Sequence, residues 1–324
     1  MASRSLSTQK LVTVFGGSGF LGRNVVRSLA AQGYRVRVAC RRPDLAGHLQ
    51  PLGNVGQIQY VQANLRYRWS IDRAVEGADA VVNLVGILDD GGKQTYDAVQ
   101  AQGAGWVAEA AKVAKASLVH VSAIGADVDA ATDYGRSKGE GERLVLQATP
   151  KAIILRPSVI FGPGDMFFSR FAAIASLSPI FPLIGGGTTK LQPVYAGDVA
   201  QAVVKAVEGD LAAGSVWELG GTEVLSLKEC IVRMLEVIGR KRWFITLPFF
   251  FAKIWGSILQ YVPGKLLTPG QVDLLRADNI VSEEMKSSGR TLEGMGITPT
   301  GISSVLPNYL VRFRKHGQYE ANHG

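Results

Sequence analysis

The chain has 324 residues, 47% of them hydrophobic, and a net charge of +8. That is enough for one large α/β domain, or for one domain with a smaller lobe. Its two cysteines, Cys40 and Cys230, lie far apart, which excludes a disulfide framework and suits a reducing compartment. Four histidines, His48, His120, His316 and His323, show no ligand spacing, so no metal is expected. The basic balance fits either ordinary solubility or attraction to an anionic lipid, an acidic partner or a phosphorylated ligand. No aromatic-and-basic array of the nucleic-acid-binding kind occurs, and DNA and RNA are set aside.

Residues 1–10 lack the apolar run of a secretion signal and are short for a transit peptide, so a bacterial cytoplasmic setting is expected. Leu11–Phe15 is an apolar run ending at glycines, the pattern of a strand buried on both faces. Phe20–Ala31 carries Leu21, Val25 and Leu29 at helical spacing. Residues 36–39, 58–61 and 78–85 read as the next strands, and 96–114 as an Ala-rich helix. Residues 118–121, 134–147 and 152–155 read as strand, helix and strand. Strands alternating with helices predict a doubly wound parallel Rossmann sheet.

After Arg156, prolines at 157, 163, 179 and 182 change the rhythm. Helices are expected over 198–207 and 226–238, the second capped by Ser226. The expected division is a nucleotide-binding domain over 1–160 and a smaller, interleaved C-terminal α/β lobe over 161–324, facing substrate or partner.

Between the first strand and helix stands Phe15-Gly16-Gly17-Ser18-Gly19-Phe20-Leu21-Gly22. Glycines are needed where the backbone turns sharply and where a pyrophosphate presses on it, and the helix N-terminus beyond offers free N–H groups. The second strand ends in Arg41 and Arg42, with no acid between Tyr34 and Pro43. Two guanidiniums there suit the 2′-phosphate of NADPH better than the bare ribose of NAD. Ser122 ends the strand at 118–121, and Tyr134 and Lys138, four apart, share one helical face. A cation beside a phenol, with a serine to orient a carbonyl, is a workable set for proton transfer coupled to hydride chemistry.

Gly16-x-x-Gly19-x-x-Gly22, Ser122, Tyr134-x-x-x-Lys138 and Arg156-Pro157-Ser158 together resemble the extended and atypical short-chain dehydrogenases/reductases, over nearly the whole chain. The resemblance implies that Asn64 and Leu65 flank the adenine, that Val85 and Gly86 line the cofactor, and that Pro157 and Ser158 sit near the nicotinamide. Many members carry an Asn in a proton relay where Gln100 stands here, and its reach differs. A narrower stretch, Leu266 to Leu275 followed by Asp278-Asn279-Ile280-Val281, resembles the NDUFA9 accessory-subunit family of respiratory complex I, as does Leu247-Pro248-Phe249-Phe250 with Ala252-Lys253. This second likeness implies bound NADPH that supports structure rather than turning over, and complex I subunits near the quinone module as partners. It places the chain peripherally, on the cytoplasmic face of the bacterial inner membrane or on the matrix side of the mitochondrial one. The other reading open to the sequence is an active NADPH-dependent reductase, epimerase or dehydratase using Ser122, Tyr134 and Lys138.

The stretch 243–262, from Trp243 to Val262 and preceded by Arg240-Lys241-Arg242, is long enough to suggest a membrane span. Lys253 and Pro248 within it argue against one. It is expected to be either a buried helix or an interfacial helix on anionic phospholipid.

Overall fold

A computed structural model describes residues 9–259, 268–315 and 317. The strands and helices run β1 (Leu11–Phe15), α1 (Phe20–Ala31), β2 (Arg35–Cys40), β3 (Ile58–Gln62), α2 (Arg68–Val75), β4 (Ala80–Asn83), α3 (Gln102–Val113), β5 (Ser117–Val121), α4 (Asp133–Ala148) and β6 (Ile153–Pro157). They continue with β7 (Ile160–Phe161), α5 (Phe168–Leu177), β8 (Ile180–Ile184), β9 (Lys190–Leu191), β10 (Val194–Tyr195), α6 (Ala196–Glu208), β11 (Val216–Leu219) and β12 (Leu225–Ser226). The remainder are α7 (Leu227–Val237), β13 (Trp243–Leu247), α8 (Phe249–Leu259), α9 (Pro269–Leu274), α10 (Glu283–Ser287) and α11 (Ile302–Leu310).

Two units can be separated. The first takes residues 1–157, 197–219 and 284–297, and the second takes 158–196, 220–283 and 298–324. In the first, seven strands pair in the order β11-β6-β5-β4-β1-β2-β3. Every pair is parallel. β1 and β4 are buried throughout, as a parallel sheet covered on both faces demands. The order reverses at β1, flanked by β2 on one side and β4 on the other, which opens a crevice at the carboxyl ends of these strands. One face of the sheet packs Phe15, Val81 and Leu118 against Ala104, Val107, Ala108 and Ala111 of α3. The Ala-rich composition of α3 lets it lie close to the strands.

Three elements differ from the sequence reading. The fourth strand is shorter, Ala80–Asn83, because the Asn83 side chain turns the chain out by accepting from Val85 N at 3.1 Å. The helix expected over 96–114 opens with a π-helical turn, Asp97–Ala101, before α3 begins. The apolar stretch after Arg242 is not one helix. Trp243, Phe244, Ile245 and Thr246 are β-formers ahead of Pro248, which disfavours the helical region for the residue before it. They form β13, parallel to β8, and the chain then turns into α8. The end of this stretch through Val262, along with Leu266, Leu267, His316 and His323, lies outside the described residues.

The second unit has its own core of Phe161, Phe168, Phe181, Leu183, Ile231, Met234, Leu306 and neighbours. Ser226 caps α7 and forms a full capping box with Glu229.

Candidate functional site

The phosphate loop follows β1 directly. Gly16 has a φ of +77°, a left-handed conformation open to glycine, and its N–H donates to Ala39 O of β2 at 3.0 Å. A Cβ on Gly22 would lie 2.3 Å from Gly16 O and 2.5 Å from Gly17 C, so only glycine lets α1 start this close to the strand. Gly19 is the N-cap of α1; it offers no side-chain cap, and the first turn holds no acidic residue. The N–H groups of Phe20, Leu21 and Gly22 therefore stand at the positive end of the helix dipole without intrahelical acceptors. Arg23, next in the helix, has a buried Nε with no partner. Ser18 lies against the Cys40 thiol at the end of β2.

Arg41 and Arg42, just beyond β2, are both exposed. Arg42 is engaged: its Nη2 lies 2.7 Å from Asp44 Oδ2, and its Nε 3.0 Å from Asp44 Oδ1. The sequence reading, which noted no acid before Pro43, overlooked this one immediately after it. Arg41 makes no such pair among the described residues. After β3, Asn64 N–H donates to Ser70 Oγ at 3.0 Å and Asn64 Oδ1 accepts from Arg66 N at 3.1 Å, forming a tight turn. Leu65 is buried beneath Gly103, where a Cβ would meet it at 2.8 Å.

The loop after β4 joins the two halves of the site. Val85 packs on Gly16, where a Cβ would come within 3.3 Å of Val85 Cγ2. A Cβ on Gly86 would meet Lys138 Nζ at 3.2 Å and Gln100 Oε1 at 3.3 Å. The loop therefore runs from the phosphate end to the Tyr134–Lys138 end, as expected of residues lining an extended nucleotide.

Tyr134 and Lys138 lie on the first turns of α4. This helix reaches its neighbours through glycines: a Cβ on Gly139 would sit 2.3 Å from Asp127 C, and one on Gly141 2.3 Å from Gln100 O. Lys138 is 4% exposed, and its Nζ lies 5.9 Å from the centre of the Tyr134 ring. Burial lowers the Lys138 ammonium to about 8, with Glu142 pulling the other way. Burial also pushes the Tyr134 phenol up to about 12, so it stays protonated at neutral pH. The Tyr96 ring meets the Tyr134 ring edge-on at 6.1 Å. Ser122, 4% exposed, follows β5, and its Oγ has no partner.

Gln100 stands in the π-turn, a distortion that recurs at functional positions. Its Nε2 donates to Ser137 Oγ at 2.8 Å and its Oε1 accepts from Ile87 N at 3.1 Å. Ser137 Oγ in turn donates to Tyr134 O at 2.8 Å. Gln100 thus braces the helix that carries Tyr134. Pro157 ends β6 and accepts from Ile124 N at 3.1 Å. Ser158 belongs to the second unit, where its hydroxyl lies 2.6 Å from Asn279 Oδ1.

The residues present fit a dinucleotide: Gly22 lets α1 start directly against the glycine loop with its first N–H groups uncapped, and Arg23 Nε and Ser122 Oγ are buried polar atoms with no protein partner among the described residues. Arg23, Asp44, Tyr96 and Ser137 are additions that the sequence reading missed. Arg23 was within reach of it, being a cation directly after the last glycine of the loop.

Residues 12–220 match the NAD dependent epimerase/dehydratase family. Over 327 residues the chain is 31% identical to NADH dehydrogenase (ubiquinone) 1 alpha subcomplex subunit 9, mitochondrial, of Arabidopsis thaliana, covering 97% of this chain and 80% of that protein. It is 32% identical to the ceramide reductase of Caulobacter vibrioides over 194 residues, 60% of each chain. The crystal structure of dTDP-glucose 4,6-dehydratase from Bacillus anthracis in complex with NAD matches with a TM-score of 0.72 at 16% identity, covering 97% of both chains, which is a likeness of fold.

Proposed function

This chain belongs to the NAD dependent epimerase/dehydratase family and to the family of the complex I alpha subcomplex subunit 9; from that membership we propose that it is an accessory subunit of respiratory complex I that holds NADPH mainly as a structural element. The observation that carries this reading is the extent of the likeness: it runs through 97% of the chain toward the complex I subunit, against 60% toward the reductase. NADPH is favoured over NADH by Arg41, exposed beyond β2, and by the pairing of the nearest acid, Asp44, with Arg42. The partners proposed are complex I subunits near the quinone module.

No described helix is long and apolar enough to cross a membrane. We propose a peripheral place on the cytoplasmic face of the bacterial inner membrane. The alternative place proposed is the matrix side of the mitochondrial inner membrane, since the names of two relatives carry the word mitochondrial. Support comes from the second unit, where Trp243, Phe250, Phe251 and Trp255 are exposed and an exposed Lys241 stands two residues before Trp243, a composition suited to anionic phospholipid.

The test is assembly. Tyr134→Phe is expected to leave incorporation into complex I intact. Gly19→Asp, which sets a carboxylate where the pyrophosphate would lie, is expected to abolish it. Failure of Tyr134→Phe to assemble would contradict a structural role for the nucleotide.

A second reading, an active NADPH-dependent reductase, is favoured by one observation: Lys138 Nζ lies 5.9 Å from the Tyr134 ring, and Ser122, at the end of β5, has a buried Oγ with no partner. Bound nucleotide would supply the hydride. Lys138 would hold the ribose hydroxyls, Tyr134 would keep a proton at Oη, and Ser122 Oγ would orient a carbonyl. Oxidation of NADPH by a ketone or quinone, lost in Tyr134→Phe, would support it.

A further inference from the structure

His120 stands two residues before Ser122 on β5, and alternate residues of a strand share a face. It pairs in register with Asn83 of β4. The ring is 2% exposed, its Nδ1 lies 3.2 Å from Asn83 Nδ2, and its Nε2 is buried with no partner. The orientation of the Asn83 amide is fixed from the other side, because Asn83 Oδ1 accepts from the backbone N–H of Val85 at 3.1 Å. Turning the amide over would set its NH2 against that N–H. The NH2 therefore donates to His120 Nδ1, Nδ1 is an acceptor, and the proton of a neutral ring must sit on Nε2.

That leaves an N–H donor, enclosed in the sheet, with no protein acceptor. The Lys138 ammonium, on a residue 4% exposed, acts electrostatically on the ring. Burial and this cation together hold the ring neutral, down to about 3. His120 is thus a fixed donor and not a base. A buried ring N–H without a protein acceptor marks a place for an oxygen that accepts from it.

We propose that His120 Nε2–H holds one oxygen acceptor beneath the nucleotide site, making His120 a positioning residue for the Ser122 end of that site. The oxygen comes from a trapped water or from the bound nucleotide. Asn83 sets the tautomer, and through Val85 it ties this donor to the loop that lines the site. The proposal rests on the dinucleotide reading for its consequence, but the tautomer and the hydrogen bond can be read without nucleotide.

The experiment is a long-range 1H–15N spectrum of the 15N-histidine-labelled full chain, with His120→Gln assigning the ring, recorded without and with saturating NADPH. The expected result is the Nε2–H tautomer with a hydrogen-bonded proton. If it is present before NADPH and unchanged after, the acceptor is water; if it appears or shifts with NADPH, the acceptor belongs to the nucleotide. An Nδ1–H tautomer, or an Nε2–H that is not hydrogen-bonded in either state, overturns the proposal. NADPH titration of the variants completes it. His120→Leu, which removes the donor, is expected to weaken NADPH binding about tenfold, and His120→Gln, which keeps one, to recover most of the loss. Equal affinity in both variants would reduce His120 to a structural part of the sheet. A wild-type chain that binds no NADPH, with the Nε2–H tautomer still present, would overturn the nucleotide reading and leave the trapped-water donor standing.

Discussion

At the scale of the residue, the nucleotide loop is the firmest part of the site because steric exclusion leaves it no alternative. Gly22→Ala is expected to cost roughly 1–3 kcal/mol of stability and to abolish NADPH binding, since the new Cβ would lie 2.3 Å from Gly16 O, well inside van der Waals contact. Thermal unfolding and NADPH titration check both. Arg41→Ala is expected to weaken NADPH about tenfold or more while leaving NADH affinity unchanged, a selectivity that comparative titration reads directly. Lys138 gives a pH signature. Its folded pKa of about 8 lies below the ordinary 10.5, so between these values the unfolded chain binds more protons and stability rises with pH. Tyr134, raised to about 12 from 10, acts in the opposite sense only above pH 10. The Cys230 thiol, pushed by burial from 9 up to about 12, opposes this above pH 9, so from pH 8 to 9 the wild type should gain stability relative to Lys138→Met. If the two proteins change equally over that window, Lys138 is not the titrating group.

The glycines, Ser122, Tyr134 and Lys138 were legible in the sequence because their spacing along a strand or helix already fixes their common face. Asp44 on Arg42 and Asn83 on His120 were not. Each depends on a chain path or strand register that no local spacing encodes.

At the scale of the element, β1, α1 and α4 could be read closely because long runs of one periodicity leave little choice. The four-residue strand β11 and the short helix α2 were not predicted, being too brief for a pattern to rise above its surroundings. The stretch after Arg242 shows a deeper limit: an apolar run says that something is hydrophobic, not whether it is strand or helix. In the structure, Ile180 and Trp243 are exposed partners across β8 and β13, while Phe181 and Leu183 turn inward. On α8, Phe250, Phe251, Ile254 and Trp255 occupy one exposed side, and Ala252 and Gly256 the buried one. Lys253 is held by Asp273 of α9 at 2.9 Å. Phe251 and Trp255 are 53% and 57% exposed, so Phe251→Ser with Trp255→Ser is expected to cost only about 1–2 kcal/mol for each substitution and to leave the chain folded, as thermal unfolding reads. Sedimentation with vesicles of anionic phospholipid should fall sharply in the same variant. Undiminished vesicle binding would remove the lipid surface from the account.

At the scale of the molecule, the parallel sheet gathers β1, β4 and β5 so that the phosphate loop, Asn83 and Ser122 emerge at one end. Far apart in sequence, Arg156 of β6 binds Glu142 of α4 at 2.6 Å and approaches Glu218 of β11 at 3.8 Å, tying the last strand to the helix that bears Tyr134 and Lys138. Glu142→Gln weakens this largely buried pair and is expected to cost about 3 kcal/mol, read as a shift in the denaturant midpoint. The alternation of strands and helices announced this sheet. The interleaving of the two units, in which residues 197–219 and 284–297 return to the first, has no local signal, because it is a property of contacts and not of composition.

The proposed role, NADPH carried within a respiratory assembly, can be read by solubilising the membranes gently, separating native complexes, and measuring where the chain migrates and how much NADPH travels with it. Co-migration with a large NADH-oxidising complex and near-stoichiometric NADPH is expected. Recovery of the chain alone, exchanging nucleotide freely, would contradict it and turn attention to the reductase reading.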